Sequence, residues 1–260
     1  MIAGLLLHAL AVAASAGMGL PPPPPVTFYD GFEHTDVGSR PSRAYSRVEG
    51  KGDNIEVTEE TAATGKRSLK ITDAPGLEHG FNPHFSYAPN HREGITTFSF
   101  DVRMEQGAEL SLEWRQQPGK PHYYIGPKLL FRNGKLTFAD QPPLPLPLGV
   151  WTHIEISAGF GSKTDGTWQL TVTTPGAEPK HFSGLKFVNP ETRSVTWLGF
   201  ISVANCKGVY YIDNVKLETD FVEAARALGQ LKLTAETMGE TDVAVKSLGQ
   251  LAADACQAEI

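Results

Sequence analysis

The sequence predicts an all-β protein: an antiparallel double-sheet jelly-roll sandwich with a short C-terminal α-helical tail. Three observations carry that prediction. Between Val26 and Glu218, apolar and polar residues alternate with period two in about ten short stretches, the signature of strands with one dry face and one wet face. The 26 glycines and 19 prolines, with Asn133-Gly134 and Asp165-Gly166, punctuate those stretches as turns do. No helical periodicity falls between the strands, which excludes a parallel α/β fold and leaves two antiparallel sheets packed face to face.

In chain order, the segment 1–16 reads as a signal peptide. It is apolar from Ile2 to Ala14 apart from His8, has no Lys or Arg, and ends in the small-x-small pattern Ala14-Ser15-Ala16, which places cleavage after Ala16. The run is shorter than the roughly 20 residues a bilayer span needs, so no transmembrane segment is expected. The expected location is secreted, periplasmic or cell-surface. The segment 17–25 contains Pro21 to Pro25 and reads as a stiff polyproline spacer.

The sandwich is expected over 26–218, its first strands at 26–32, 54–57, 68–72 and 82–87. The clearest alternation is Thr97 to Met104, where Phe98, Phe100, Val102 and Met104 share one face. A turn at Glu105-Gln106-Gly107 then leads into Leu110, Leu112 and Trp114, which reads as a hairpin with Arg103 facing Glu109. Strands follow at 123–131, 150–157, 167–173, 195–204 and 209–218. The tail, 219–260, changes to helical spacing: Phe221, Ala225 and Leu228 share one stripe and Val245, Leu248, Ala252 and Ala255 another. Two short helices capping the sandwich are expected, with a surface that could contact another protein.

The formal net charge of -6 and the lack of any Lys/Arg-rich face exclude nucleic acid and anionic membranes as expected partners. Cys206 and Cys256 could form one disulfide or stand as two thiols; spacing does not choose between these. No Gly-x-Ser-x-Gly elbow, phosphate loop or His-Glu-x-x-His zinc pattern occurs. No strand carries two acids at i and i+2, and Glu109 and Glu113 are about 13 Å apart along one strand, which does not suit glycoside hydrolysis by a carboxylate pair.

Asp213 falls, by regular alternation, on the same face as Val209, Tyr211, Val215 and Leu217. A carboxylate there must bulge outward, pair with a cation or accept backbone amide hydrogens. Aromatic rings near polar groups are what a sugar ring needs, and Arg115, Tyr123, Tyr124 and Trp197 are the candidates. Trp114 and Trp168 alternate with core leucines and are assigned inward. Tyr123 and Tyr124 are adjacent, so a regular strand turns one of them off the core.

Four stretches resemble a known family. Tyr29-Asp30-Gly31-Phe32-Glu33, Thr64 to Ile71, Gly149-Val150-Trp151-Thr152-His153-Ile154 and Val209 to Leu217 look like strands of jelly-roll carbohydrate-binding modules and concanavalin A-like, laminin G-like domains of secreted proteins. The resemblance covers roughly Tyr29 to Leu217. It implies a noncatalytic module that binds a glycan or cell-surface polysaccharide, and a structural calcium ion held by Glu33 and Asp213, with an Asp that only caps backbone groups as the alternative. Two other readings stay open: a structural protein-interaction module, and a lyase or glycoside hydrolase on the same sandwich. A lyase would draw on Tyr123, Tyr124, His84, Arg115 and Lys128.

Overall fold

The computed structural model describes residues 23–119 and 122–221. The expected signal peptide, the start of the spacer and the helical tail beyond Phe221, with Cys256 and any contact surface there, lie outside the described residues. Among the described residues there are fifteen strands and no α-helix. They are β1 (Phe28–Asp30), β2 (Tyr45–Arg47), β3 (Asn54–Thr58), β4 (Ser68–Thr72), β5 (His84–Tyr87), β6 (Gly94–Met104), β7 (Glu109–Gly119) and β8 (His122–Arg132). Then follow β9 (Lys135–Thr137), β10 (Leu144–Pro145), β11 (Thr152–Phe160), β12 (Thr167–Thr173), β13 (Lys180–Lys186), β14 (Trp197–Ser202) and β15 (Val209–Thr219).

The strands form two antiparallel sheets. One runs β13-β12-β11-β6-β15-β4-β3, with β1 also on β15; the other runs β10-β9-β8-β7-β14-β5-β2. The strands β2, β9 and β10 lie toward the ends of the second sheet and are not predicted by the sequence, because two or three residues are too few to display a period; β13, at the end of the first sheet, has seven residues but buries only Leu185 fully, so it shows no alternation either. The core between the sheets is aromatic. Phe98 and Phe100 of the first sheet meet Trp114 and Phe200 of the second at centroid distances of 5.0 to 6.2 Å, and Phe85 stacks on Phe200 at 4.5 Å. Trp114 and Trp168 are buried there.

The expected hairpin between β6 and β7 does not form. Strand β6 pairs with β11 and β15, β7 pairs with β14 and β8, and 105–108 crosses from one sheet to the other. Arg103 consequently pairs with Glu105 at 2.7 Å, and Glu109 with Arg132 at 2.8 Å. The physical reason is that each of these strands has one fully apolar face. Two such faces bury more surface when opposed across the core than when laid side by side.

Strand β15 departs from regular alternation. Its register on β6 shifts between Asp213 and Lys216, where Asn214 adopts φ +51°. That bulge exchanges the faces. Tyr210 and Ile212 point into the core before it, Val215 and Leu217 after it, and Asp213 lies outside the core. It is still fully buried, under the loop 61–67.

Candidate functional site

The outer face of the second sheet carries a groove of about 630 Å³ over β5, β14, β7 and β8. Its floor follows from alternation. Leu112 and Trp114 point into the core, so Ser111, Glu113 and Arg115 point out; Leu198 and Phe200 point in, so Trp197, Gly199 and Ile201 point out. Trp197 and Arg115 are directly opposed cross-strand neighbours, as are Gly199 and Glu113. The indole of Trp197 lies over Gly199, and a Cβ at that position would meet ring atoms at 1.9 Å. Only glycine lets the ring lie flat along the floor.

A second bulge, between Glu113 and Arg115 on the β7/β8 ladder, brings Ile125 opposite Arg115 and Tyr124 opposite Gln116. Tyr123 therefore turns to the groove side and is 47% exposed. The Arg115 guanidinium sits between two rings, 4.3 Å from the centroid of Tyr123 and 4.3 Å from that of Trp197. Three of the four candidate binding residues, Arg115, Tyr123 and Trp197, are thus brought together. Tyr124 is half-buried, does not line the groove and is not part of the core, so only one of the adjacent tyrosines faces the groove and neither belongs to the core.

Glu113, which the sequence did not single out, organises the cations. Its Oε2 accepts from Arg115 Nε at 2.8 Å and Nη2 at 2.6 Å; its Oε1 accepts from Lys128 Nζ at 2.9 Å and from Ser111 Oγ at 3.2 Å. Burial pushes this carboxyl up, but the bonds and charges of Lys128 and Arg115 outweigh that, and it titrates below its ordinary 4.5. Among the described residues it is the only carboxylate lining the groove.

At the other end of the groove stands His84. Asn82 donates its Nδ2 hydrogen to Glu49 Oε1 at 2.8 Å, which turns its Oδ1 toward His84 Nδ1 at 2.9 Å. Nδ1 therefore carries the proton and Nε2 the lone pair. Burial, helped by Arg47 and Arg115, outweighs a hydrogen bond with the Phe81 backbone that acts the other way, and holds the ring below its ordinary 6.5. Phe81, 51% exposed, stands over His79 and 6.0 Å from His84 and adds a third ring to the walls.

Glu33, in the turn after β1, and Asp213, on β15 of the first sheet, lie elsewhere, and both hold the loop 61–67. Glu33 Oε1 accepts the Lys66 and Arg67 amides at 2.8 and 2.9 Å, which lowers its pKa. Asp213 Oδ2 accepts the Ala63 and Thr64 amides at 2.8 and 3.2 Å, and its Oδ1 accepts the Asn214 amide at 2.7 Å. Burial nevertheless pushes Asp213 up to about 6. The bulge and these amides supply two of the three compensations the sequence called for. Among the described residues, no three of His, Cys, Asp and Glu are grouped to hold a metal. Cys206 is exposed, its Sγ 3.4 Å from the Gly107 carbonyl oxygen. Among the described residues no helix is long and apolar enough to cross a membrane.

No protein-family model matches the chain, and no curated protein matches it. Its fold is similar to solved structures. An endo-β-1,4-glucuronan lyase from the fungus Trichoderma reesei is 14% identical, with a TM-score of 0.51 over 75% of this chain and 95% of that one. The cellulose-induced protein Cip1 is 13% identical, with a TM-score of 0.51 over 75% and 98%. The alginate lyase Aly36B is 10% identical, with a TM-score of 0.51 over 76% and 98%. At these identities the likeness shows a shared β-sandwich fold alone.

Proposed function

We propose that this chain is an exported module that binds a carbohydrate chain in the groove over β5, β14, β7 and β8, without cleaving it. The observation that carries the reading is Arg115 held between the rings of Tyr123 and Trp197. Ring faces pack on the apolar face of a pyranose while the guanidinium takes its oxygens, and Glu113 and Gly199 fix that arrangement before any ligand arrives. The folds it resembles include two polysaccharide lyases, which supports a carbohydrate ligand without assigning a reaction. A glycan array with wild type and Tyr123→Ala tests it. The wild type should give hits that the variant loses; an array without hits would sink the reading.

A second reading, elimination on a uronate-containing polymer, is favoured by the neutral His84 in the same groove as Arg115, Lys128 and Tyr123. There His84 Nε2 would take the proton from C5, Arg115 and Lys128 would neutralise the adjacent carboxylate, and the C4–O bond would break as the C4=C5 double bond forms. The Tyr123 hydroxyl would protonate the leaving oxygen. Ultraviolet absorbance of unsaturated uronate decides between the readings: appearance of product with wild type and its loss in His84→Ala would replace binding by catalysis.

We also propose a structural calcium ion at Glu33 and Asp213. Two carboxylates, the Thr64 hydroxyl and the Asn214 side-chain oxygen gather at one loop, and all are hard oxygen donors. An ion there would displace amide contacts that Asp213 now holds.

A further inference from the structure

The central groove is not the only hollow on this face of the second sheet. A cavity of about 500 Å³ shares Lys128 and Leu130 with it and continues to Thr137, Asp140, Lys186 and Val188. On the opposite side a cavity of about 490 Å³ is lined by Arg40, Tyr45, Arg47 and Lys51, and the Tyr45 ring stands 6.2 Å from His84. The sheet register shows how the three relate. Arg47 is directly opposite His84, His84 opposite Ile201, Ile201 opposite Ser111, Ser111 opposite Leu130, and Leu130 opposite Thr137. Directly opposed residues of antiparallel strands point to the same face. Every member of this row lines one of the three cavities. The row crosses six strands, and at about 4.8 Å per spacing it is about 24 Å long.

Charge distinguishes this face from the rest of the chain. Seven Lys and Arg residues line the three cavities against four Asp and Glu, in a protein whose formal net charge is -6. Of those acids, Glu113 is paired with Arg115 and Lys128, and Glu49 with Lys51, Asn82 and backbone amides; of the cations, Arg132 is held by Glu109, which lies outside the cavities. Arg47 and Lys186, one in each flanking cavity, are exposed. A cationic track in an acidic protein concentrates field on the track and selects a ligand with repeated negative charge.

We infer that the three cavities are successive stretches of one channel, and that its ligand is a linear acidic polysaccharide lying across the strands from β2 to β9, gripped along its length. This inference rests on the groove as a carbohydrate site. It adds the ligand's charge and extent, and it gives the flanking cavities a role as outer subsites. Tyr123, Trp197 and Arg115 grip the centre, Arg47 one flank and Lys186 the other.

The test is a ladder of defined chain lengths measured by calorimetry. Disaccharide and decasaccharide fractions of alginate, polygalacturonate and glucuronan serve as acidic probes, and xylo-oligosaccharides as neutral ones. At least one acidic decasaccharide should bind about tenfold or more tighter than its disaccharide, because outer contacts add to an already bound centre. Raising sodium chloride to about 0.5 M should weaken it, and the neutral ladder should bind less tightly. Arg47→Ala and Lys186→Ala should each weaken the decasaccharide about threefold and leave the disaccharide unchanged. Both residues are exposed, so thermal melts should confirm intact folds. Tyr123→Ala should weaken both lengths. Equal affinity at both lengths, unaltered decasaccharide binding in both flank variants, or neutral chains bound as tightly as acidic ones would overturn the channel while leaving the central groove standing. Binding of no fraction at all would remove the groove reading, and this one with it.

Discussion

Replacing Glu113 by Gln keeps the shape of the side chain and removes its charge. Glu113 is buried, with only 7% of its side chain exposed, and it faces two cations, Arg115 at 18% and Lys128 at 40% exposure. Removing one member of a fully buried ion pair costs about 3–5 kcal/mol, because the other charge is stranded. Here water still reaches Lys128 and part of Arg115, so screening reduces the figure to about 2 kcal/mol. For a domain of this size that corresponds to a fall in Tm of about 4–8 °C. Glycan affinity should fall with it, because the guanidinium loses the carboxylate that holds it between Tyr123 and Trp197. The pH dependence has a defined sign. A carboxyl whose folded pKa is lowered contributes stability that is present above its ordinary 4.5 and lost as the pH falls through the lower folded value. The gap between wild type and Glu113→Gln should therefore be full at neutral pH and close in acid. Denaturation of the two single variants Glu113→Gln and Arg115→Gln, and of the double, should give a coupling of about 1 kcal/mol or more. Additive effects, or a Glu113→Gln melt within about 1 °C of wild type, would refute the account of Glu113 as the group that positions the groove's cations.

Gly199→Ala should weaken glycan binding with only a small loss of stability, because its Cβ would displace the Trp197 indole, which is not part of the core; calorimetry beside a thermal melt checks this. Tyr123→Ala should cost on the order of 1–2 kcal/mol of binding and little stability, since the ring is exposed, whereas Tyr124→Ala should leave affinity unchanged. Asp213 and Asp73 are both pushed up to about 6 from 3.8, chiefly by burial. A carboxyl raised in the folded state binds its proton more tightly there, so each should lower stability by about 3 kcal/mol or less as the pH rises from about 4 to 6, and Asp213→Asn should flatten its share of that slope. If calcium binds at Glu33 and Asp213, it should raise the Tm, a chelator should reverse this, and Asp213→Asn should abolish it; a wild-type melt indifferent to both reagents leaves the bulge and the backbone amides as what accommodates Asp213.

Much of the sandwich was determined by the sequence alone. Phe98, Phe100, Val102 and Met104, like Leu110, Leu112 and Trp114, are buried as their alternation requires, because a strand's side-chain period is fixed by backbone geometry whatever the strand pairs with. The same independence explains what the sequence left undecided. Alternation states which face is dry, not which neighbour covers it, so β6 and β7 read as a hairpin when they belong to opposite sheets. At Asp213 and at Tyr123 a bulge shifts the alternation; the first is marked in the sequence only by a carboxylate on an apolar face, which a bulge, a cation or backbone amides could each explain, and the second leaves no mark in the hydrophobic pattern. Arg115, Tyr123 and Trp197 could be picked as chemistry suited to sugars. Their assembly depends on β14 returning more than eighty residues later to pair with β7, and on Gly199 clearing the floor beneath the indole. Glu113 looked like one more wet-face acid. It became the anchor of the groove only when the tertiary structure set Arg115 and Lys128 on either side of it, because the strength of a charge pair is decided by distance and exclusion of water, and sequence records neither.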